Sequence, residues 1–145
     1  MIHFIYKGEA VGKGRPRVAR RGNYVHTYTP EKTRAFEEAI HFEFLASNCE
    51  TLPVYEKGAP LKANILIGVA IPKSYSKKRY ALCRDRVEAP TKKPDTDNIV
   101  KSVLDALSGG AAGAGAYEDD SQVVKIIAEK VYSEEPFVEV TIDEL

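Results

Sequence analysis

The chain has 145 residues, 43% of them hydrophobic, which is enough apolar surface for the core of one domain and too little for two. Its 21 Lys and Arg balance 21 Asp and Glu, which argues against a uniformly basic nucleic-acid binder. No apolar run nears the length of a bilayer span, no charged-then-apolar leader opens the chain, and the two cysteines, Cys49 and Cys83, lack metal or disulfide spacing; the expectation is a cytoplasmic protein with no membrane association.

In chain order, Ile2 to Tyr6 is rich in β-formers and reads as a first strand that breaks at Gly8. Gly12-Lys13-Gly14-Arg15-Pro16-Arg17 follows as a mobile basic loop, and Tyr24 to Tyr28 as a short second strand. Thr29 then caps a helix with Pro30 at its first position, and Phe36, Ile40 and Phe44 keep one apolar face to about Ser47. Leu61 to Ile71, bounded by Pro60 and Pro72, is too apolar for a surface strand and reads as a central one buried on both faces. Lys73 to Arg86 reads as a short helix or an ordered loop. Asp97 or Asn98 caps the next helix, whose stripe Ile99, Val100, Val103, Leu104 and Leu107 runs to Ser108-Gly109-Gly110. The Gly/Ala tract 109–116 offers nothing to pack a core and is expected to be a flexible connection. Two strands close the chain, Gln122 to Tyr132 and Pro136 to Ile142. The pattern gives one α/β (α+β) domain over residues 1–145, with a mixed β-sheet and two main helices.

The charges cancel in sum but not in place. Basic residues crowd Lys7 to Arg21 and Lys73 to Lys93, against only Glu9, Asp85 and Glu88, while the acidic excess lies near the C-terminus. A basic face opposite an acidic one suits a polyanion. Lys13, Arg15, Arg17, Lys73, Lys77, Lys78, Arg79, Lys92 and Lys93 are the candidate DNA contacts, with Tyr24, Tyr28, Tyr75 and Tyr80 among them for stacking or half-buried packing.

Next to this basic stretch stands Lys93-Pro94-Asp95-Thr96-Asp97-Asn98, with Lys101 one helical turn beyond Asp97 and Asp119-Asp120 further on. Hard cations such as Mg²⁺ take carboxylate oxygens and substrate phosphate, and a lysine on the same helical face is placed to reach that phosphate. Capping alone explains Asp-Thr-Asp-Asn before a helix, and a turn alone explains Asp119-Asp120. Ligands, a nearby cation and a basic approach surface are separate needs of one reaction, phosphodiester hydrolysis assisted by a metal. None of His3, His26 and His41 is near the cluster in sequence. The glycines of 110–115 have the wrong offsets for a dinucleotide site and Gly12-Lys13-Gly14 lacks a P-loop hydroxyl, so no nucleotide cofactor is expected.

These residues resemble the RusA-type Holliday-junction resolvases, small endodeoxyribonucleases common in prophages. The likeness runs through Lys93-Pro94-Asp95-Thr96-Asp97-Asn98, Lys101, Leu104-Asp105-Ala106-Leu107 and Glu118-Asp119-Asp120-Ser121-Gln122-Val123, and takes in Gly14-Arg15-Pro16-Arg17, Tyr28-Thr29-Pro30 and Ile71-Pro72-Lys73-Ser74. It implies a homodimer that binds four-way junction DNA in recombination or repair and cuts two strands symmetrically with Mg²⁺ or Mn²⁺. It also implies that Asp95, Asp97 and Asp120 are catalytic metal ligands and Lys101 the essential lysine, with Asn98 and Asp119 as accessory residues. Similar proteins join the helix to the Asp-Asp pair with fewer residues, so the resemblance fixes Asp120 less firmly than Asp95 and Asp97. Two other functions use the same residues: a branched-DNA-binding protein without turnover, its Asp120 displaced by the glycine tract, and a Mg²⁺-dependent nucleotide phosphohydrolase, which leaves the basic segments without a role.

Overall fold

Burial alternates along β1 (Ile2–Lys7), β4 (Leu61–Ala70) and β6 (Phe137–Glu144), so the sheet they form is covered on one face. The computed structural model describes residues 1–14, 17–28, 30–48, 50–110 and 114–145, without the side chains of Arg17 and His26. Strand order in the main sheet is β1-β6-β4-β5, with β5 spanning Val123–Ser133; β4 and β5 run parallel and the other neighbours antiparallel. The expected mixed α+β architecture is what forms, with three α-helices among the described residues: α1 (Glu31–Ser47), α2 (Lys77–Arg84) and α3 (Thr96–Leu107). Among the described residues, no helix is long and apolar enough to cross a membrane.

The core lies between the sheet and two helices. Phe36, Ile40 and Phe44, four residues apart on α1, are buried, as are Ile99, Val100, Val103, Leu104 and Leu107 on α3. They meet Ile2, Phe4, Leu61, Ile65, Ile67, Val138, Val140 and Ile142 in one cluster. β4 is central as expected but not buried on both faces. Leu61, Ala63, Ile65 and Ile67 face the helices, while Lys62, Asn64 and Leu66 on the other side are only part-covered, because among the described residues no second helical layer packs there.

Four local expectations change. Arg17–Arg21 is a strand, β2, which pairs with β3 (Tyr24–Tyr28) in a separate two-stranded sheet. Gly12–Gly14 is docked rather than mobile: the Lys13 amide donates to the Asn98 carbonyl at 2.9 Å and the Gly14 amide to Thr33 Oγ1 at 3.1 Å. Pro30 is the N-cap of α1 and not its first residue; Thr29 lies outside the described residues, as does Cys49. The N-cap of α3 is Asp95, earlier in the chain than the expected Asp97 or Asn98.

The described ends of the Gly/Ala tract, 109–110 and 114–116, are tied to each other and to the end of α3. The Ala116 amide donates to the Leu107 carbonyl at 2.8 Å, Gly109 to Tyr117 at 2.9 Å and Gly110 to Glu118 at 2.9 Å. The two sides of the loop approach so closely that a Cβ on Gly109 would collide with the Gly115 nitrogen, and one on Gly115 with the Leu107 carbonyl. Ala116 and Tyr117 beyond it are buried, and the Tyr117 hydroxyl donates to the Leu104 carbonyl at 2.6 Å. Residues 111–113 lie outside the described ones.

Candidate active site

Asp95 ends an extended segment at the start of α3, but its side chain does not cap the helix. It pairs instead with Lys93 at 3.0 Å. Plain N-capping therefore does not account for this carboxylate. Asp97, in the first helical turn, is exposed, and its carboxylate takes no hydrogen bond or ion pair among the described residues. Both sit where the partial positive charge of a helix N-terminus favours anions.

Further along the same stripe of α3, Lys101 and Asp105 follow Asp97 at intervals of four. Lys101 Nζ lies 3.0 Å from Asp105 Oδ1 and 3.1 Å from Asp120 Oδ2. Asp105 Oδ2 in turn lies 3.1 Å from Lys13 Nζ, which also reaches Glu37 Oε1 at 2.6 Å. The result is an alternating row, Glu37, Lys13, Asp105, Lys101, Asp120. Hydrogen bonds to Asp105 and then Asp120 raise the Lys101 pKa, so its ammonium stays charged throughout the neutral range. Burial opposes ionisation of Asp105, yet Lys101 and Lys13 outweigh it and hold this carboxyl below its ordinary value.

Asp120 arrives at Lys101 because its turn is pinned. Asp119 accepts a hydrogen bond from the Ser121 amide at 2.9 Å, forming a capping box with Gln122 over the short 3₁₀ turn Asp120–Gln122. The buried Gln122 accepts from the Glu118 and Asp119 amides and donates to the Glu56 and Ala59 carbonyls. Asp119 thus has a structural task, and the glycine tract does not displace Asp120 from the lysine.

Lys130 on β5 does for the first carboxylates what Gln122 does for the last. Its ammonium donates to the carbonyls of Lys92 at 2.7 Å and Pro94 at 2.9 Å, tying the segment before Asp95 to the sheet. Sequence reasoning missed Lys130, Gln122 and the pairing role of Asp105. Between α3 and β5 runs an open groove with Val100, Leu104, Ile126 and Ala128 as its apolar wall and Thr96, Asp97 and Lys101 on its rim.

The donor chemistry fits a hard divalent cation. Asp97 is unengaged and Asp95 is shared only with the exposed Lys93, so this pair would hold it. Among the described residues no three His, Cys, Asp or Glu are already gathered for a metal; Asp120 meets Lys101 through Oδ2, which leaves Oδ1 as its oxygen for a cation.

The expected DNA contacts divide. Lys73, Lys77, Lys78 and Lys92 are exposed. Lys13 is instead half-buried between Glu37 and Asp105, a strut of the site rather than a surface cation. Arg79 is held by Glu88 at 3.1 Å and lies 3.7 Å over the Tyr75 ring, and Lys93 is on Asp95. Arg15 and the side chain of Arg17 lie outside the described residues. Asn98 is exposed and contributes its carbonyl to Lys13.

A family model described as Endodeoxyribonuclease RusA matches residues 7–143. The chain is 38% identical over 146 residues to "Uncharacterized protein YqaN" of Bacillus subtilis (strain 168), covering 99% of this chain and 96% of that one. It is 33% identical over 91 residues to "Crossover junction endodeoxyribonuclease rusA" of Lactococcus phage r1t, covering 63% of this chain and 60% of the phage protein. The family match contains the whole row of Glu37, Lys13, Asp105, Lys101 and Asp120 together with Asp95 and Asp97, and the chain belongs to the endodeoxyribonuclease RusA family.

Proposed function

We propose that this chain is a Mg²⁺- or Mn²⁺-dependent endonuclease that resolves four-way DNA junctions in recombination or repair, acting as a two-fold symmetric homodimer. One observation carries the reading: a charged lysine, fixed against Asp120, stands one turn from the open carboxylate of Asp97 on the rim of a groove. Asp95 and Asp97 hold the cation, with Asp120 as third ligand. When bound, the cation polarises a phosphoryl oxygen and acidifies a water. Lys101 supplies a fixed positive charge for the scissile phosphate, and Asp105 with Lys13 keeps its ammonium from swinging to solvent. Lys73, Lys77, Lys78 and Lys92 offer the exposed charge for the DNA backbone.

The dimer surface in this reading is the free edge of β5. Val124 is 61% and Ile127 51% exposed there, an apolar strand edge of the kind that folded proteins cover. A dyad on that edge sets two active-site grooves on one side of a continuous sheet, which suits paired cuts in a substrate of near two-fold symmetry.

The test is a labelled four-way junction incubated with the protein with and without Mg²⁺. Paired, symmetric cuts in Mg²⁺ only are expected; a shifted but uncut junction in Mg²⁺ sinks the enzyme reading. Lys130 provides a finer check. Lys130→Met keeps the aliphatic stem but removes the donor from the Lys92 and Pro94 carbonyls, and supporting contacts of this kind are worth about 10–100-fold in metal affinity or activity. We expect a rise of that size in the Mn²⁺ concentration giving half-maximal cleavage, with DNA binding in EDTA unaltered.

A further inference from the structure

The β2–β3 ribbon has no place in the row of active-site charges, and its composition is unlike the rest of the chain. Residues 17–28 contain Arg17, Arg20, Arg21 and His26 and not one Asp or Glu. The ribbon forms its own two-stranded sheet, and among the described residues no other helix or strand packs extensively against it. Val18 is 64% and Tyr24 67% exposed, so these are not core residues. Its tip is a two-residue turn in which Gly22 takes φ +58° with open space around it, a conformation that costs glycine nothing and lets the strands return tightly. The backbone register sets Arg21 opposite Tyr24, so this cation and the aromatic ring share one face beside the tip, while Arg20, opposite Val25, lies on the other face with its Nε donating to the Gly22 carbonyl at 3.1 Å and its two terminal nitrogens left for a phosphate.

The root of the ribbon is as telling as its tip. Gly12–Gly14, just before β2, is bonded to Asn98 in the first turn of α3 and to Thr33 in α1. A Cβ on Gly12 would come within 3.1 Å of Asn98 Cβ, so this approach is close. Gly14, the last described residue before β2, is therefore part of a segment docked on the turn that carries Asp95 and Asp97. A two-stranded β-ribbon has the width to enter the major groove of duplex DNA, and arginine is the side chain best suited to phosphate and to base edges there.

We propose that the β2–β3 ribbon is a DNA-gripping arm that enters the groove of a duplex arm beside the scissile phosphate, with Arg20 and Arg21 on the DNA. The proposal rests on the nuclease reading above and adds to it the element that holds the substrate. Because the grip is uniform between ground and transition states, its loss raises KM and leaves kcat nearly unchanged.

The experiment compares wild type with Arg20→Ala/Arg21→Ala and Arg20→Lys/Arg21→Lys, measuring junction and duplex binding in EDTA over a salt series, and cleavage in Mg²⁺. Both arginines are exposed, and thermal unfolding verifies that each variant is folded. The alanine variant is expected to bind at least tenfold more weakly, with the slope of log K against log salt shallower by about two, since each phosphate contact contributes about 0.9. The lysine variant keeps the wild-type slope. Wild-type affinity and slope in the alanine variant overturn the ribbon proposal alone and point to another partner for it, such as RNA or protein. A slope reduced in both variants overturns it too, because charge is then not what the ribbon contributes. If wild type binds DNA with this signature but does not cut the junction, the nuclease reading fails and the ribbon assignment stands; if wild type binds no DNA, both fall.

Discussion

Asp97→Asn is expected to lower junction cleavage by roughly 10³-fold, about 4 kcal/mol of transition-state stabilisation, while leaving junction binding in EDTA within about twofold of wild type. In the folded protein the Asp97 side chain makes no specific structural contact. Asp97 is exposed, its carboxylate has no partner among the described residues, and the replacement is isosteric, so stability should fall by no more than the helix N-terminus gains from the charge, about 0.3–1 kcal/mol. What changes is one hard anionic oxygen at the point where a cation would be held. Asp119→Asn provides the contrast. Asp119 caps the turn by accepting from the Ser121 amide, and an Asn oxygen accepts that bond as well, so cleavage should fall little. Single-turnover cleavage of a labelled junction and a gel-shift titration measure both. Asp97→Asn protein that cuts at the wild-type rate removes Asp97 from the site.

The reason for expecting so unequal an outcome from two neighbouring acidic motifs lies in how each is supported. Asp119 and Gln122 close a capping box, Gln122 reaches under the turn to Glu56 and Ala59, and the carboxylate that remains available is Asp120. At the other motif the support comes from Lys130 and from the docked Gly12–Gly14 segment, so Asp95 and Asp97 are left unburdened by capping. In both places a neighbour does the structural work and releases one acid for chemistry.

Periodicity reveals elements that bury a face. That is why α1, α3 and β4 were legible from Phe36, Ile40, Phe44, the Ile99-to-Leu107 stripe and the apolar run after Pro60. The β2 strand has no buried face, so Val18 and Arg20 carry no alternating pattern to read; the usable signal was Gly22-Asn23 between two β-prone runs, a hairpin turn. The candidate acids were visible as a motif, but what holds them was not. Lys130 acts on carbonyls 36 and 38 positions away in the chain, and Lys13 meets Asp105 only because the loop before β2 folds onto α3. A lysine in sequence looks like solvated charge until its partners are placed. At the described ends of the Gly/Ala tract, Gly109 and Gly115 are small because two backbones pass each other there, a contact that composition alone does not signal.

The proposed dimer yields the second large effect. Antiparallel pairing of β5 with its own copy about Ile127 matches Lys125 with the copy's Glu129, Ile127 with itself, and Ile126 with the copy's Ala128. Lys125, Ile127 and Glu129 are all exposed on the single chain, so each would gain a partner. Two-fold symmetry doubles the consequence of any change: Lys125→Glu converts two attractive cross-strand pairs into two repulsive ones. At about 0.2–1 kcal/mol for each pair made, and as much again for each reversed, the dimer should weaken by about 1–4 kcal/mol, or roughly 5- to 700-fold in its dissociation constant. Glu129→Lys alone should do the same, and Lys125→Glu/Glu129→Lys should restore the dimer, because the pairs return with their signs exchanged. Sedimentation velocity over a concentration series reads the association, and the junction products read its meaning: the single variants should leave nicked junctions at concentrations where wild type and the double variant give paired cuts. A double variant no better than the singles rules out this register, whereas nicks accumulating in step with monomer tie resolution to the β5 edge.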